Sequence, residues 1–178
     1  MIYIFLADGF EEIEAFTFVD IMRRAELDIK TVSVTDKKTV IGAHSISVYA
    51  DEHIEDINEN FDALILPGGM PGTKNLLNCD RLKKLLITAN NRGKLIGAIC
   101  AAPMVLGSID ILNGKEATCY PSFEKYLSGA RFRQERVVVS DNIITSRGAG
   151  TAHDFALKFV EIILGKEKAG SIKMSMLY

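Results

Sequence analysis

Tryptophan is absent from this 178-residue chain, and cysteine and proline are scarce, with three and four copies. Three cysteines cannot all pair within the chain, and a chain of this length can bury roughly 70% of its unfolded surface without covalent staples. No disulfide framework is needed, and a reducing cytoplasm is the expected compartment. An excess of one charge is missing too, since 21 basic and 23 acidic side chains leave a net charge of −2. Without a large positive field, specific nucleic-acid binding is not expected. No apolar run reaches the ~18–20 residues that span a bilayer, so no membrane association is expected. The segment Met1 to Ala7 lacks a basic stretch and a cleavage site, and it reads as a strand rather than a signal peptide. Repeats, low-complexity tracts and linkers are also lacking, which predicts one domain over residues 1–178.

What is present is an ordinary globular composition, 48% hydrophobic and 25% charged, and this excludes a disordered chain. Short β-rich apolar runs alternate with helical patterns. Strands are expected at Ile2 to Leu6, Thr31 to Val34, Phe61 to Leu66 and Leu95 to Ile99, and a hairpin over Thr39 to Val48 broken at Gly42. Val137 to Val139 and Ile143 to Thr145 read as a hairpin or two short strands. Helical spacing marks Ile13 to Glu26, Cys79 to Asn91, Pro103 to Ile109 and Thr151 to Leu164, the last with Phe155, Phe159, Ile162 and Ile163 inward. The alternation predicts an α/β sandwich with a mostly parallel sheet covered on both faces. Ligands of such sheets sit outside the carboxyl ends of the strands. The loops of interest are therefore Ala7 to Ile13, Pro67 to Thr73 and Cys100 to Pro103.

Cys100 follows the strand Leu95 to Ile99 and precedes a helix. A sharp strand-to-helix turn would aim its sulfur at free backbone N–H groups and the positive end of the helix, lowering the thiol pKa. Its small neighbours Gly97, Ala98, Ala101 and Ala102 permit such a nucleophile elbow. The alternative is a buried core cysteine. Pro67-Gly68-Gly69-Met70-Pro71-Gly72 would let backbone N–H groups approach a bound oxygen, or it is an ordinary turn. It has neither dinucleotide-fingerprint nor P-loop spacing. Glu11 and Glu12 suit a solvated helix start. Glu14, at the edge of the apolar stripe, either points into the crevice beside Cys100, protonated or sharing a proton, or faces water. His44 is expected on a strand or hairpin loop, His53 in solvent, and His153 capping the last helix. Their spacing fits no zinc site, so no metal is expected. Cys79 is expected to be structural or exposed.

The ordered segments ADGFEEIEAFTFVDIMRRA, ALILPGGMPGTKNL, LIGAICAAPMVL, ATCYPSFEKYL and SRGAGTAHDFAL resemble the ThiJ/PfpI superfamily across essentially the whole chain. They are most similar to its branch around the parkinsonism-associated deglycase, the DJ-one-like proteins. The resemblance implies a flavodoxin-like three-layer sandwich, a homodimer, and a reactive, oxidisable cysteine at Cys100 partnered by Glu14. It implies that the backbone N–H groups of Gly69 and Ala101 serve a substrate oxygen. Many relatives carry a histidine where this chain has Tyr120, oriented by an acid matching Asp20. Tyr120 and Asp20 are therefore possible pocket residues, and the missing histidine weakens a Cys-His hydrolase. Cys119, beside Tyr120, falls near the site by the same resemblance.

The implied activity is a cofactor-independent glyoxalase or deglycase of the stress response, converting methylglyoxal or its adducts to lactate. The alternatives are a non-catalytic redox sensor or chaperone acting through oxidation of Cys100, and a cysteine peptidase or amidohydrolase. A flavin module is disfavoured, because no Ser/Thr-rich phosphate loop follows the first strand. For dimerisation, the residues themselves offer Phe16, Phe18, Val19 and Met22, more apolar surface than one helix face needs for a core.

Overall fold

The computed structural model describes residues 1–178. In chain order the elements are β1 (Ile2–Leu6), α1 (Glu12–Arg24), β2 (Ile29–Ser33), β3 (Thr39–Ile41), β4 (Ser47–Tyr49), β5 (Glu52–His53) and β6 (Ala63–Leu66). They continue with α2 (Gly72–Leu77), α3 (Asp80–Asn91), β7 (Leu95–Ile99), α4 (Pro103–Gly107), β8 (Glu116–Ala117) and β9 (Arg131–Phe132). The chain closes with β10 (Val137–Ser140), β11 (Ile143–Ser146), α5 (Ala152–Leu164) and α6 (Lys166–Ser175).

Seven strands form the central sheet in the order β10-β11-β7-β6-β1-β2-β5. Every pairing in it is parallel except β10 with β11. The central strands are buried on both faces, which accounts for their near-continuous apolar sequences. Alternate side chains separate cleanly. Tyr3 and Phe5 join one hydrophobic cluster, whereas Ile2, Ile4 and Leu6 join the other. Helices α1, α5 and α6 pack together on one face, and α2, α3 and α4 lie on the other. No helix is long and apolar enough to cross a membrane.

The expected α/β sandwich is present, with differences at its edges. The hairpin β3–β4 forms its own two-stranded sheet. The edge strand β5, the short pair β8–β9, α2 and α6 have too little periodicity to be read from sequence. On α5, Phe155 and Phe159 are buried as expected, but Ile162 is exposed and Ile163 only partly covered. That face ends where α6 folds back. Phe18, Val19 and Met22 are spent inside the chain's own core, so they offer no partner surface. The apolar side chains left exposed around α1 and the hairpin are Ile13, Ile41, Ile46 and Tyr49.

Candidate functional site

Strands β1, β6 and β7 are neighbours and run parallel, so their carboxyl ends deliver three loops to one edge of the sheet. The sheet order turns back on itself at β1 and β6, where such folds open a crevice. Cys100 follows β7 directly and has φ +65°. A non-glycine residue in this left-handed region costs about 1–2 kcal/mol. The strain is held by two backbone hydrogen bonds: the Cys100 N–H donates to Ser146 O at 3.0 Å, and its carbonyl accepts the Tyr120 N–H at 2.8 Å. The side chain is thereby turned out of the sheet, as in a nucleophile elbow.

Glu14 reaches the same point from the first turn of α1. It is 1% exposed. Its Oε2 accepts the Gly68 N–H at 2.7 Å. Its Oε1 meets no N–H or O–H donor, and the remaining group interacting with the carboxyl is the Cys100 thiol. Gly68 is obligatory for this closeness. A Cβ there would stand 2.5 Å from Cys100 Cβ and 2.7 Å from Glu14 Oε2. Gly69, at φ +89°, turns its N–H toward the Cys100 sulfur alongside that of Ala101, and both favour the thiolate.

Burial pushes the Glu14 carboxyl up to about 7, against the hydrogen bonds from Gly68 and Cys100 and with a small addition from the charge of Glu11. Burial also pushes the Cys100 thiol up to about 12, helped by the Glu14 charge and the Glu14 hydrogen bond, with the Gly69 and Ala101 N–H groups opposing. This reverses the expectation of a thiol pKa lowered by the helix end. The reason lies in α4. It is only five residues long and opens on Pro103, which has no N–H, while the Met104 and Val105 N–H groups already bond to Ala101 O and Ala102 O. Little positive potential remains to offset burial and an adjacent carboxylate. Between about pH 7 and 12 the pair therefore retains one proton, carried by the sulfur beside an ionised carboxylate.

Cys100, Glu14, Gly69, Ala101 and Tyr120 all line one cavity of about 340 Å³, together with Glu11, Met70, Phe123 and Ala149. Tyr120 is half exposed, and its ring meets Phe123 edge to face at 6.4 Å. Asp20 is not in the lining. It is exposed on α1, and its carboxylate accepts from Arg24 Nε at 2.6 Å, one helical turn away. Cys119 is fully buried and outside the lining. Cys79 is half-buried, at the residue before α3.

None of the three histidines reaches the cavity. His44 lies in the β3–β4 turn, with its Nδ1 2.7 Å from Glu12 Oε2. His53 is half-buried rather than solvated, and its Nε2 donates to Thr35 O at 2.5 Å. His153 caps nothing and stacks on Tyr178, ring centroids 4.8 Å apart. Glu11 and Glu12 are not the solvated pair expected from sequence. Glu12 is buried, and its Oε1 accepts the His44 N–H at 2.8 Å. The ligand atoms of Glu11, Glu12 and His44 lie within 4.8 Å of one another, the closest approach to a metal-ligating set, but His44 already occupies Glu12. Sequence reasoning missed Glu11, Met70, Phe123 and Ala149 as lining residues. Met70 lies within the glycine-rich loop after β6, which the sequence does single out, whereas Phe123 and Ala149 are marked only by the segments that carry the resemblance.

The family model described as the DJ-1/PfpI family matches residues 1–162. Protein DJ-1 homolog B of Arabidopsis thaliana is 41% identical over 167 residues, covering 92% of this chain and 38% of the relative. This chain spans less than half the length of that relative and of DJ-1 homolog A from the same plant. The glutathione-independent glyoxalase DJR-1.2 of Caenorhabditis elegans is 37% identical over 165 residues, covering 91% of this chain and 87% of the relative. The structure of oxidized Toxoplasma gondii DJ-1 superposes with a TM-score of 0.96 at 37% identity, covering 99% of this chain and 97% of that one. A match over residues 1–162, relatives at this identity and a shared fold establish that the chain belongs to the DJ-1/PfpI family.

Proposed function

We propose that this protein is a cysteine-dependent, cofactor-independent enzyme of the stress response acting on reactive carbonyls, of the glyoxalase or deglycase type. Residues 1–178 work as one domain in a reducing cytoplasm. The observation that carries this reading is that the buried Glu14 carboxyl and the half-buried Cys100 meet beside Gly68 in the wall of a cavity of small-molecule size.

With methylglyoxal, the Cys100 sulfur adds to the aldehyde carbon while Glu14 takes the thiol proton and hands it to the former aldehyde oxygen, giving a hemithioacetal and an ionised Glu14. Direct ionisation of the thiol is not required, because proton and electron pair move together. The Gly69 and Ala101 N–H groups face the developing oxyanion. Glu14 then moves one proton from the former aldehyde carbon to its neighbour while the hydroxyl proton passes from the first oxygen to the second, which converts the adduct into the thioester of lactate. Water cleaves that thioester, releasing lactate and regenerating the thiol. The carbon skeleton is oxidised at one end and reduced at the other, so no external oxidant enters. The close relationship to a glutathione-independent glyoxalase supports the substrate class.

A peptidase or amidohydrolase reading is disfavoured, because the cavity lining contains no histidine to protonate a leaving amine. Redox sensing remains the second reading. The two N–H groups on the sulfur would also hold a sulfinate, and the similar Toxoplasma structure is of an oxidized protein. We also propose a homodimer, formed through the exposed Ile13, Ile41, Ile46 and Tyr49.

The deciding experiment incubates purified protein with methylglyoxal in the absence of glutathione and measures lactate. Formation that disappears in Cys100→Ala and in Glu14→Gln supports catalysis. Equal rates in wild type and Cys100→Ala overturn it. No turnover, together with selective gain of two oxygens at Cys100 under mild peroxide, favours the sensor.

A further inference from the structure

A second cavity of about 310 Å³ adjoins the first. Its walls include Tyr120, Pro121, Arg147, Gly148, Ala149 and Gly150. Tyr120 and Ala149 belong to both linings. A Cβ at Gly148 would stand 3.2 Å from Tyr120 Cδ2 and 3.9 Å from Cys100 Sγ. A side chain at Gly148 would stand against both the Tyr120 ring and the sulfur, at the wall the two cavities share.

Arg147 has no partner. Its Nη1 is sealed from solvent and meets no acceptor. None of the arginine ion pairs of the chain involves it. Arg147 as a whole is half-buried, and its other two guanidinium nitrogens also make no bond within the chain but stay open to solvent, so an incoming anion has free donors to meet. Two further donors lie beside it. The Thr151 N–H turns back to Gly148 O and the Gly148 N–H to Thr151 Oγ1, but the N–H groups of Ala149 and Gly150 find no acceptor in the chain. Arg147, Ala149 and Gly150 line the same cavity, and a planar guanidinium together with free amides is a donor set suited to a carboxylate or phosphate. The neighbouring cavity has the opposite character, with Glu11 and Glu14 in its wall. An anion is repelled from the Cys100 side and attracted to the Arg147 side.

We propose that Arg147 is an anion subsite of the Cys100 site, so that preferred substrates are α-oxoaldehydes carrying a carboxylate or phosphate. The anion on Arg147 turns the aldehyde carbon toward the sulfur, past Gly148. The substrate class rests on the carbonyl reading above, whereas the anion site itself does not. For γ,δ-dioxopentanoate the chemistry is unchanged. The thiol adds to the aldehyde, one proton passes to the adjacent carbon, and water releases α-hydroxyglutarate.

The test has two arms, each with wild type, Arg147→Gln and Arg147→Lys, and with folding checked by thermal melting. In the first, the kcat/KM of γ,δ-dioxopentanoate is compared with that of uncharged methylglyoxal. The ratio is expected to fall roughly 10- to 100-fold in Arg147→Gln, the size of one hydrogen bond to a charged group. It should fall less in Arg147→Lys, which keeps the charge but not the fork. In the second arm, inorganic phosphate and acetate are titrated calorimetrically, and whichever binds more tightly identifies the favoured anion. Binding that is lost in Arg147→Gln, even where neither aldehyde is turned over, supports the subsite while rejecting the carbonyl reading. An unchanged ratio in folded Arg147→Gln, or equal anion binding by wild type and that variant, overturns the proposal.

Discussion

Replacing Glu14 with Gln separates the two halves of the Glu14–Cys100 pair, and alkylation of Cys100 by iodoacetamide reads the result. A thiol at about 12 is ionised to about one part in 10⁵ at pH 7. That is about a thousandfold below a thiol at the ordinary 9.0. Direct ionisation thus gives a sluggish sulfur. Glu14, at about 7, is half ionised at neutrality and receives the proton as the sulfur attacks. In wild type the alkylation rate should climb through about pH 7, level off, and rise again only at strongly alkaline pH. Glu14→Gln keeps an acceptor for the Gly68 N–H but cannot take a proton. Its lower step should vanish, and its rate at pH 7 should drop roughly 10²- to 10⁴-fold, the usual contribution of a general base. Losing the adjacent charge should also draw the remaining thiol midpoint down from about 12, while burial keeps it above 9.0. Identical profiles in the two proteins, or one step near 9.0 in both, would refute the coupling.

Three more outcomes follow from the same geometry. Because the Glu14 pKa is raised in the fold, from 4.5 to about 7, its contribution to stability is complete below pH 4.5 and is lost as pH rises through about 7. The loss is about 3 kcal/mol, so Glu14→Gln should melt roughly 6–12 °C above wild type at pH 8, with the gap closing toward pH 4. Gly68→Ala forces a Cβ against Cys100 and Glu14. It should lower the urea midpoint by an amount equivalent to about 1–3 kcal/mol and slow Cys100 alkylation, whereas a neutral effect would show that the loop yields. Glu12 raises the His44 pKa above 6.5 through its hydrogen bond, with the charges of Glu11 and Glu12 adding to it. Although burial pushes Glu12 up, its bonds to the His44 side chain and backbone hold it lower overall. The His44 imidazole should therefore titrate above 6.5 by NMR and move down in Glu12→Gln, and any hold of this pair on the β3–β4 turn should weaken as pH rises through that midpoint.

The sheet was legible because its central strands are buried on both sides, and continuous apolar runs as short as Ile2–Leu6 and Leu95–Ile99 suit a doubly covered strand better than any helix. Cys100 was legible from its place between such a strand and a helix. Glu14 was not, since a carboxylate at the edge of an apolar stripe is equally at home in water. Only the resemblance favoured the crevice. The sign of the Cys100 shift was misread because the sequence shows a helix beginning but not how its first N–H groups are spent. Here Met104 and Val105 are already satisfied, and a carboxylate fifty-four positions upstream of Gly68 supplies the opposing field. Glu12 was misread for a similar reason. Its burial depends on a hairpin closing over it from His44, thirty-two residues away, a distance that no local pattern spans. The short elements β5, β8 and β9 are fixed by the strands they pair with, β5 by β2 and β8 and β9 by each other, not by propensity.

These departures from sequence rules fall together at one place in the molecule. Within a few ångströms the chain holds a left-handed cysteine, a buried carboxyl and two glycines whose Cβ atoms would collide with the site. Each opposes folding, and the two core clusters are built from other residues, with Cys100 alone packing against the edge of one. A stretch of chain that is locally unfavourable in several independent ways persists only where the surrounding structure overrides it and something other than stability selects it. The rise in melting temperature expected of Glu14→Gln measures that opposition directly. If the variant gains stability at pH 8 while losing Cys100 reactivity, the cost of holding Glu14 ionised is tied to the chemistry of the sulfur. If it gains neither, the carboxyl is part of the packing, and the reactivity of Cys100 has to come from Gly69 and Ala101 alone.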